Sequence, residues 1–259
     1  MKKLLFILLL TIPFIGFGQN ETYDNGQLKT EGRYKNGEKD GLWKYYHYNG
    51  HLKSEGRYKN GEKKGLWKYY HYNGHWESEG RYENGEKDGL WKYYTYINHR
   101  ESKNGYLTNT TYKDGKKDGV VKEWYGNGQL RIEGNYKDGK ENGLWKEYYE
   151  NGQLKSEGRY KNGNPDPYSF WKKYYENGQL LSVFEIESVS KEGVSNNIIK
   201  YYYENGQLES EGNYKDWKKD GVVKEWYGNG QLRIEGNYKD GELISGKCWD
   251  ENGKEIDCE

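Results

Sequence analysis

Two short runs alternate along most of this chain. One reads Leu-Lys-Ser-Glu-Gly-Arg-Tyr, as at Leu52 to Tyr58, and the other opens Leu-Trp-Lys-Tyr-Tyr, as at Leu66 to Tyr70. In the first run charged side chains occupy every second position, and the second is a short aromatic run between turns; both are strand signals. Turn sequences of two kinds separate the runs: a marker Asn-Gly, and stretches such as Lys-Asn-Gly-Glu-Lys-Asp-Gly at 35–41. The marker is expected to form a two-residue type I′ hairpin loop, and the longer stretch a wide turn.

The marker recurs at Asn25, Asn49, Asn73, Asn127, Asn151, Asn177, Asn205 and Asn229, with a degenerate copy near Asn104 and a partial one at Asn252. Most steps are 24 residues. Inserted stretches at 98–103, 164–170 and 180–197 lengthen three blocks, and such insertions map to the rim of a repeat array.

A hairpin at Asn49-Gly50 makes paired positions sum to 99, which sets Lys44 opposite Glu55 and Trp43 opposite Gly56. The same rule pairs Lys68 with Glu79, Lys122 with Glu133, Lys146 with Glu157, Lys200 with Glu211 and Lys224 with Glu235; in the drifted block it sets Lys172 opposite Val183. Opposite charges across strands favour this register, because a one-residue slip would turn every side chain to the other face. One face then carries Leu42, Lys44, Tyr46, Lys53, Glu55 and Arg57, within an aromatic row that continues through Tyr70, Tyr94, Trp124 and Tyr148. The other carries Trp43, Tyr45, His47, Leu52, Ser54 and Gly56, and each Trp is expected to lie over the glycine facing it, Trp67 over Gly80 and Trp145 over Gly158.

The expected fold is all-β: an elongated single-layer antiparallel sheet of stacked β-hairpin repeats, open and curved or twisted. About nine blocks of two strands each, at about 4.8 Å per strand, would extend roughly 85 Å. Composition changes the picture in one respect. Only 32% of the chain is hydrophobic and 17% is aromatic, with 29 Tyr, 10 Trp and 36 Gly. Aromatic rings must therefore do the burying that aliphatic side chains do elsewhere.

Residues 1–18, with Lys2 and Lys3 ahead of an apolar run broken by Pro13, have the layout of a secretory signal peptide. The repeat array fills 19–259, ending in a partial hairpin, and the chain is expected to be exported, to the periplasm or beyond. Basic and acidic residues balance at 41 each, which gives no electrostatic footprint for nucleic acid.

The pattern Glu31, Gly32, Tyr34, Gly37, Gly41, Trp43, Tyr46 and Gly50 resembles the MORN-repeat variant, and more narrowly the bacterial YwqK-type antitoxins of toxin–antitoxin systems. The resemblance covers most of 21–256. It implies an open β-hairpin array that contacts proteins or lipids and is not an enzyme; the antitoxin type implies a protein partner that is neutralised.

No catalytic motif is present, and neither a cofactor nor a metal is expected. His47, His51, His71, His75 and His99 recur with the repeat, and His47 and His71 lie two strands apart, too far to share one ion. The Asn-Gly-Glu-Lys-Asp-Gly stretch at 36–41 has a calcium-loop beginning, but its twelfth position is His47 where a bidentate Glu is required. The strongest binding signal is the aromatic stripe of the first three blocks, Trp43, Tyr45, Trp67, Tyr69, Trp91 and Tyr93, which thins later as Glu123, Glu147, Lys173 and Glu225 take the middle position. The same rings equally form the only core a single-layer sheet has. The expected function is a scaffold binding another protein along one face; an antitoxin-like neutraliser and a binder of envelope glycan or lipid are the alternatives. Cys248 and Cys258 flank Asn252-Gly253: a two-residue loop would pair Cys248 with Asp257, and a wider loop or bulge would let the thiols bond.

Overall fold

The computed structural model describes residues 20–95, 106–166, 169–189 and 195–258. The leader at 1–18, the insertion at 98–103 and His99 lie outside them. Among the described residues there is no helix, and 22 strands pair antiparallel. The chain divides into two compact units: one runs to Tyr94 and includes Tyr112–Gly115, the other comprises Thr95–Thr111 and Lys116–Glu259. In each, strands pair with their neighbours in the chain, and no pairing among the described residues joins first strand to last, so the sheets are open.

The first unit contains β1 (Glu21–Thr22), β2 (Leu28–Lys35), β3 (Glu38–Tyr46), β4 (Leu52–Lys59), β5 (Glu62–Tyr70), β6 (Trp76–Glu83) and the start of β7 (Glu86–Thr95). The register read from the sequence holds: Lys44 pairs with Glu55, Trp43 with Gly56 and Lys68 with Glu79. In the second unit Lys122 pairs with Glu133, Lys146 with Glu157, Lys200 with Glu211, Lys224 with Glu235, and Lys172 with Val183.

The two turns are the reverse of the sequence expectation. Asn36-Gly37 is the two-residue loop: Lys35 pairs with Glu38, and both loop residues have positive φ, 52° and 82°. That is the type I′ geometry, which asparagine and glycine tolerate best. At the marker Asn49-Gly50 only the glycine has positive φ. There the His47 amide donates to the His51 carbonyl and the Gly50 amide to the His47 carbonyl, closing a three-residue loop. Such a loop moves paired positions by one, as in Tyr46 with Leu52, and a bulge at Lys53 restores Tyr45 with Ser54. Loop and bulge cancel, which is why the register survives a wrong turn type.

A second irregularity faces the other neighbour. Arg33 pairs with Asp40 and Glu31 with Lys44, so Gly41, Leu42 and Trp43 together oppose Gly32. Gly41 takes φ +77° to make this wide bulge. The bulge adds two residues, an even number, and leaves the faces of β3 unchanged.

At the C-terminus Cys248 pairs with Ile256 and Trp249 with Glu255, again through a three-residue loop. The wider loop brings Cys248 and Cys258 into a disulfide.

Candidate interaction surface

The aromatic stripe of the first unit is a packed core. Trp43, Trp67 and Trp91 are fully buried. Each indole lies over the glycine of the preceding block: a Cβ on Gly32 would stand 2.3 Å from the Trp43 ring, and one on Gly56 2.2 Å from that of Trp67. This corrects the expected partners. Trp67 covers Gly56, not Gly80, and Trp145 covers Gly134, not Gly158. In the first unit the lean also satisfies the indole N–H, which donates from Trp43 to the Arg33 carbonyl at 3.2 Å and from Trp67 to the Arg57 carbonyl at 3.1 Å, whereas the buried Trp145 N–H finds no acceptor among the described residues.

Tyrosines box each indole. Tyr58 meets Trp67 edge-on at 5.1 Å and Tyr69 stacks on it at 6.1 Å. Tyr34 with Trp43 and Tyr82 with Trp91 repeat the edge contact. A lysine closes each box. Lys39, Lys63 and Lys87 place their ammonium groups 4.5, 4.3 and 4.1 Å from the indole centroids, and donate to Tyr45, Tyr69 and Tyr93 hydroxyls at 2.7 to 2.9 Å. With no second layer over the sheet, long lysine stems and cation–π contacts do the covering. Burial lowers the pKa of Lys63, as do Lys87 and Lys39 on either side of it. Burial raises those of Tyr58, Tyr69 and Tyr93, each also hydrogen-bonded to another tyrosine hydroxyl.

At three middle positions of the second unit the tyrosine is replaced by a carboxylate with its own cation. Glu123 accepts from Arg131 at 2.6 Å, Glu147 from Lys155 at 2.9 Å and Glu225 from Lys219 at 2.6 Å. Val121 and Val223 replace indoles in the core.

His47 belongs to a structural ladder. Tyr125, Tyr149, Tyr175 and Tyr203 each donate a hydroxyl hydrogen bond to a backbone carbonyl of the following block, and at the same position His47 Nε2 donates to the Tyr70 carbonyl at 2.9 Å. Beside them Asn25, Asn49, Asn127, Asn151, Asn177, Asn205 and Asn229 bind across the same step, as Asn49 Nδ2 does to the Tyr72 carbonyl at 2.8 Å. No metal-binding cluster occurs among the described residues.

On the opposite face glutamates and lysines alternate. Lys122, Lys200 and Lys224 reach the carboxylates facing them in their own hairpins, whereas Lys44, Lys92 and Lys146 reach Glu31, Glu79 and Glu133 of the preceding strand. Tyr46, Tyr148 and Tyr174 donate to the same glutamate row, at Glu31, Glu133 and Glu157.

Two features of the exposed surface escaped the sequence reading. Leu42, Leu66 and Leu90 are about half exposed, at 49%, 51% and 49%. They interleave with Arg57 and Arg81, as Leu42 pairs with Arg57 and Leu66 with Arg81. The Leu-Trp dipeptide of each block carries the signal, since a buried Trp puts its neighbour on the open face. The second is Trp217. It stands where other turns have glycine, holds φ +66°, is 75% exposed and stacks on Phe184 at 5.1 Å.

No curated protein matches the chain. Among solved structures, "Crystal Structure of TcdB2-TccC3 without hypervariable C-terminal region" is 10% identical with a TM-score of 0.21, and "Crystal Structure of TcdB2-TccC3-TEV" is 12% identical with a TM-score of 0.19. They cover 93% and 91% of this chain, while the chain spans only 15% and 13% of theirs. The repeats themselves are more specific: residues 22–36, 39–60, 117–138, 141–162, 171–185, 196–216 and 219–240 match the MORN repeat variant, each carrying part of the strand–turn–strand unit described above. With over half of its length in those segments, the chain belongs to the MORN repeat variant family.

Proposed function

We propose that this chain is an exported, non-catalytic scaffold that binds another protein along the sheet of its first unit. One observation carries the reading: Leu42, Leu66 and Leu90 stand half exposed on one face, a repeat apart, with Arg57 and Arg81 between them. Aligned apolar side chains rimmed by charge suit a protein contact. The buried tryptophans of the aromatic stripe support that face from behind. Neutralisation of a toxic partner, as in the YwqK-type antitoxins, is a special case of the same reading.

The test is affinity capture from an envelope fraction with the mature chain and with Leu42→Ser/Leu66→Ser/Leu90→Ser, compared by mass spectrometry. A specific partner retained by the first and lost by the second is expected. Equal retention overturns the assignment of this face.

An envelope-glycan reading draws on a different observation, the strained and exposed Trp217 over Phe184. Exposed aromatic faces of this kind suit the stacking of apolar ring surfaces. It predicts a change in tryptophan fluorescence on adding envelope glycans that Trp217→Gly abolishes.

A further inference from the structure

The second block's turn departs from the others. The residue before the bulge glycine is Asp40, Asp88, Asp118, Asn142 or Asp220, but Lys64 in one block alone. Across the strand, the residue that ends the returning run is Lys35, Lys59, Lys137 or Lys239, but Glu83 in the sheet partner of that block. The two changes match. Asp118 binds Lys137 at 3.0 Å and Asp220 binds Lys239 at 2.8 Å; Lys64 binds Glu83, the same bridge with its charges exchanged.

The exchange strands a third residue. Arg33 lies 3.8 Å from Asp40 and folds over Gly41, and Arg81 pairs across the strand with Asp88. Arg57 instead pairs with Lys64, and forms no ion pair among the described residues. The space above Gly65 is open, as it is above Gly89, but Arg81 has the Asp88 carboxylate across the strand where Arg57 has an ammonium group. A like-charge pair directly across two strands is destabilising by itself. The surface here is a shallow depression lined by Leu42, Arg57, Lys64, Leu66, Lys68 and Glu55, between two half-exposed leucines; with Lys64 held by Glu83, Arg57 and Lys68 remain against the one carboxylate of the lining. Glu55 is already engaged by the Tyr70 hydroxyl at 3.4 Å.

We propose that this depression is the anchor point of the protein-binding face, and that it takes an acidic–apolar peptide segment whose carboxylate binds Arg57 while flanking apolar side chains rest on Leu42 and Leu66. The inference rests on the scaffold reading and adds the partner's chemistry. Arginine presents a planar fork matched to a carboxylate, and an incoming carboxylate removes the Arg57–Lys64 repulsion. An extended segment suits the site, because its alternate side chains fall on one side and meet leucine and arginine in turn.

The experiment titrates the full chain with a fluorescein-labelled peptide of alternating leucine and glutamate, and with its leucine–lysine counterpart. Saturable binding of the glutamate peptide alone is expected. Arg57→Gln should weaken it about tenfold or more, the loss of a charge-assisted hydrogen bond. The double change Lys64→Asp/Glu83→Lys restores the bridge common to the other blocks and hands Arg57 an internal carboxylate. It should abolish binding with the melting temperature unchanged, which separates loss of the site from loss of the fold. No binding to the unaltered chain at about 1 mM peptide, unchanged affinity in both variants, or equal binding of the lysine peptide overturns the inference. A partner captured by the mature chain, lost by the leucine variant but kept by the Lys64/Glu83 exchange would sink this anchor and leave the scaffold reading standing.

Discussion

At the scale of the residue, the tryptophan–glycine contact is the closest fit in the molecule. Trp67 has a glycine on both neighbouring strands, Gly56 and Gly80. The repeat makes the need for a bare backbone legible, but its symmetry hides which glycine is used. The wide bulge decides, by giving the Trp-bearing strand two extra residues on the side of the preceding block and laying the ring over Gly56. A Cβ at Gly56 has no room against a fused ring held by backbone on both sides, so Gly56→Ala should cost about 1–3 kcal/mol. In a Trp67→Ala background that cost should largely vanish, whereas Gly80→Ala should keep its cost there because Trp91 still lies over it. Thermal unfolding of the three single and two double variants measures the coupling, and equal coupling at both glycines would contradict the lean.

At the scale of the element, the two Asn-Gly dipeptides in each of the first three blocks do different work. The sequence gives no local signal to separate them, since both are asparagine followed by glycine between β-forming runs. What separates them is the partner available to the side chain. Asn60 sits in the tight loop with φ +51° and needs only conformational tolerance. Asn49 lacks positive φ; its Oδ1 accepts from the His51 amide at 3.1 Å and its Nδ2 binds the next block's carbonyl. Asn60→Gly should therefore leave stability within about 0.5 kcal/mol, while Asn60→Ala should lose about 1 kcal/mol to left-handed strain. Asn49→Gly should lose about 1–2 kcal/mol, two hydrogen bonds that glycine cannot make. Denaturant midpoints rank the three, and the opposite order would return the type I′ loop to the marker. Hairpin register was legible without the turn types because its evidence, lysine facing glutamate, lies in the strand bodies.

At the scale of the whole molecule, a chain poor in aliphatic residues has built its core from rings whose polar ends it must also satisfy. Tyrosine hydroxyls point at carboxylates on one face and at each other and lysines on the opposite one. The polar ends couple stability to alkaline pH in a direction that can be stated. Burial, and then a hydrogen bond to a glutamate, push Tyr46, Tyr148 and Tyr174 up to about 12. An unfolded tyrosine titrates near 10. The folded state thus holds these protons more tightly. Its advantage is complete below about pH 10 and is lost as pH rises through the folded value. Tyr58, Tyr69 and Tyr93 are raised as well, chiefly by burial among their neighbours, and act in the same sense. Stability should consequently fall steeply between about pH 10 and about pH 12, with tyrosinate absorbance appearing together with the loss of near-ultraviolet circular dichroism. Glu31→Gln should soften the fall, because Tyr46 would lose the anionic acceptor that opposes its ionisation. Tyrosinate that forms near pH 10 in a chain still fully folded would mean that the hydroxyls are open to water and that the core is looser than these contacts require.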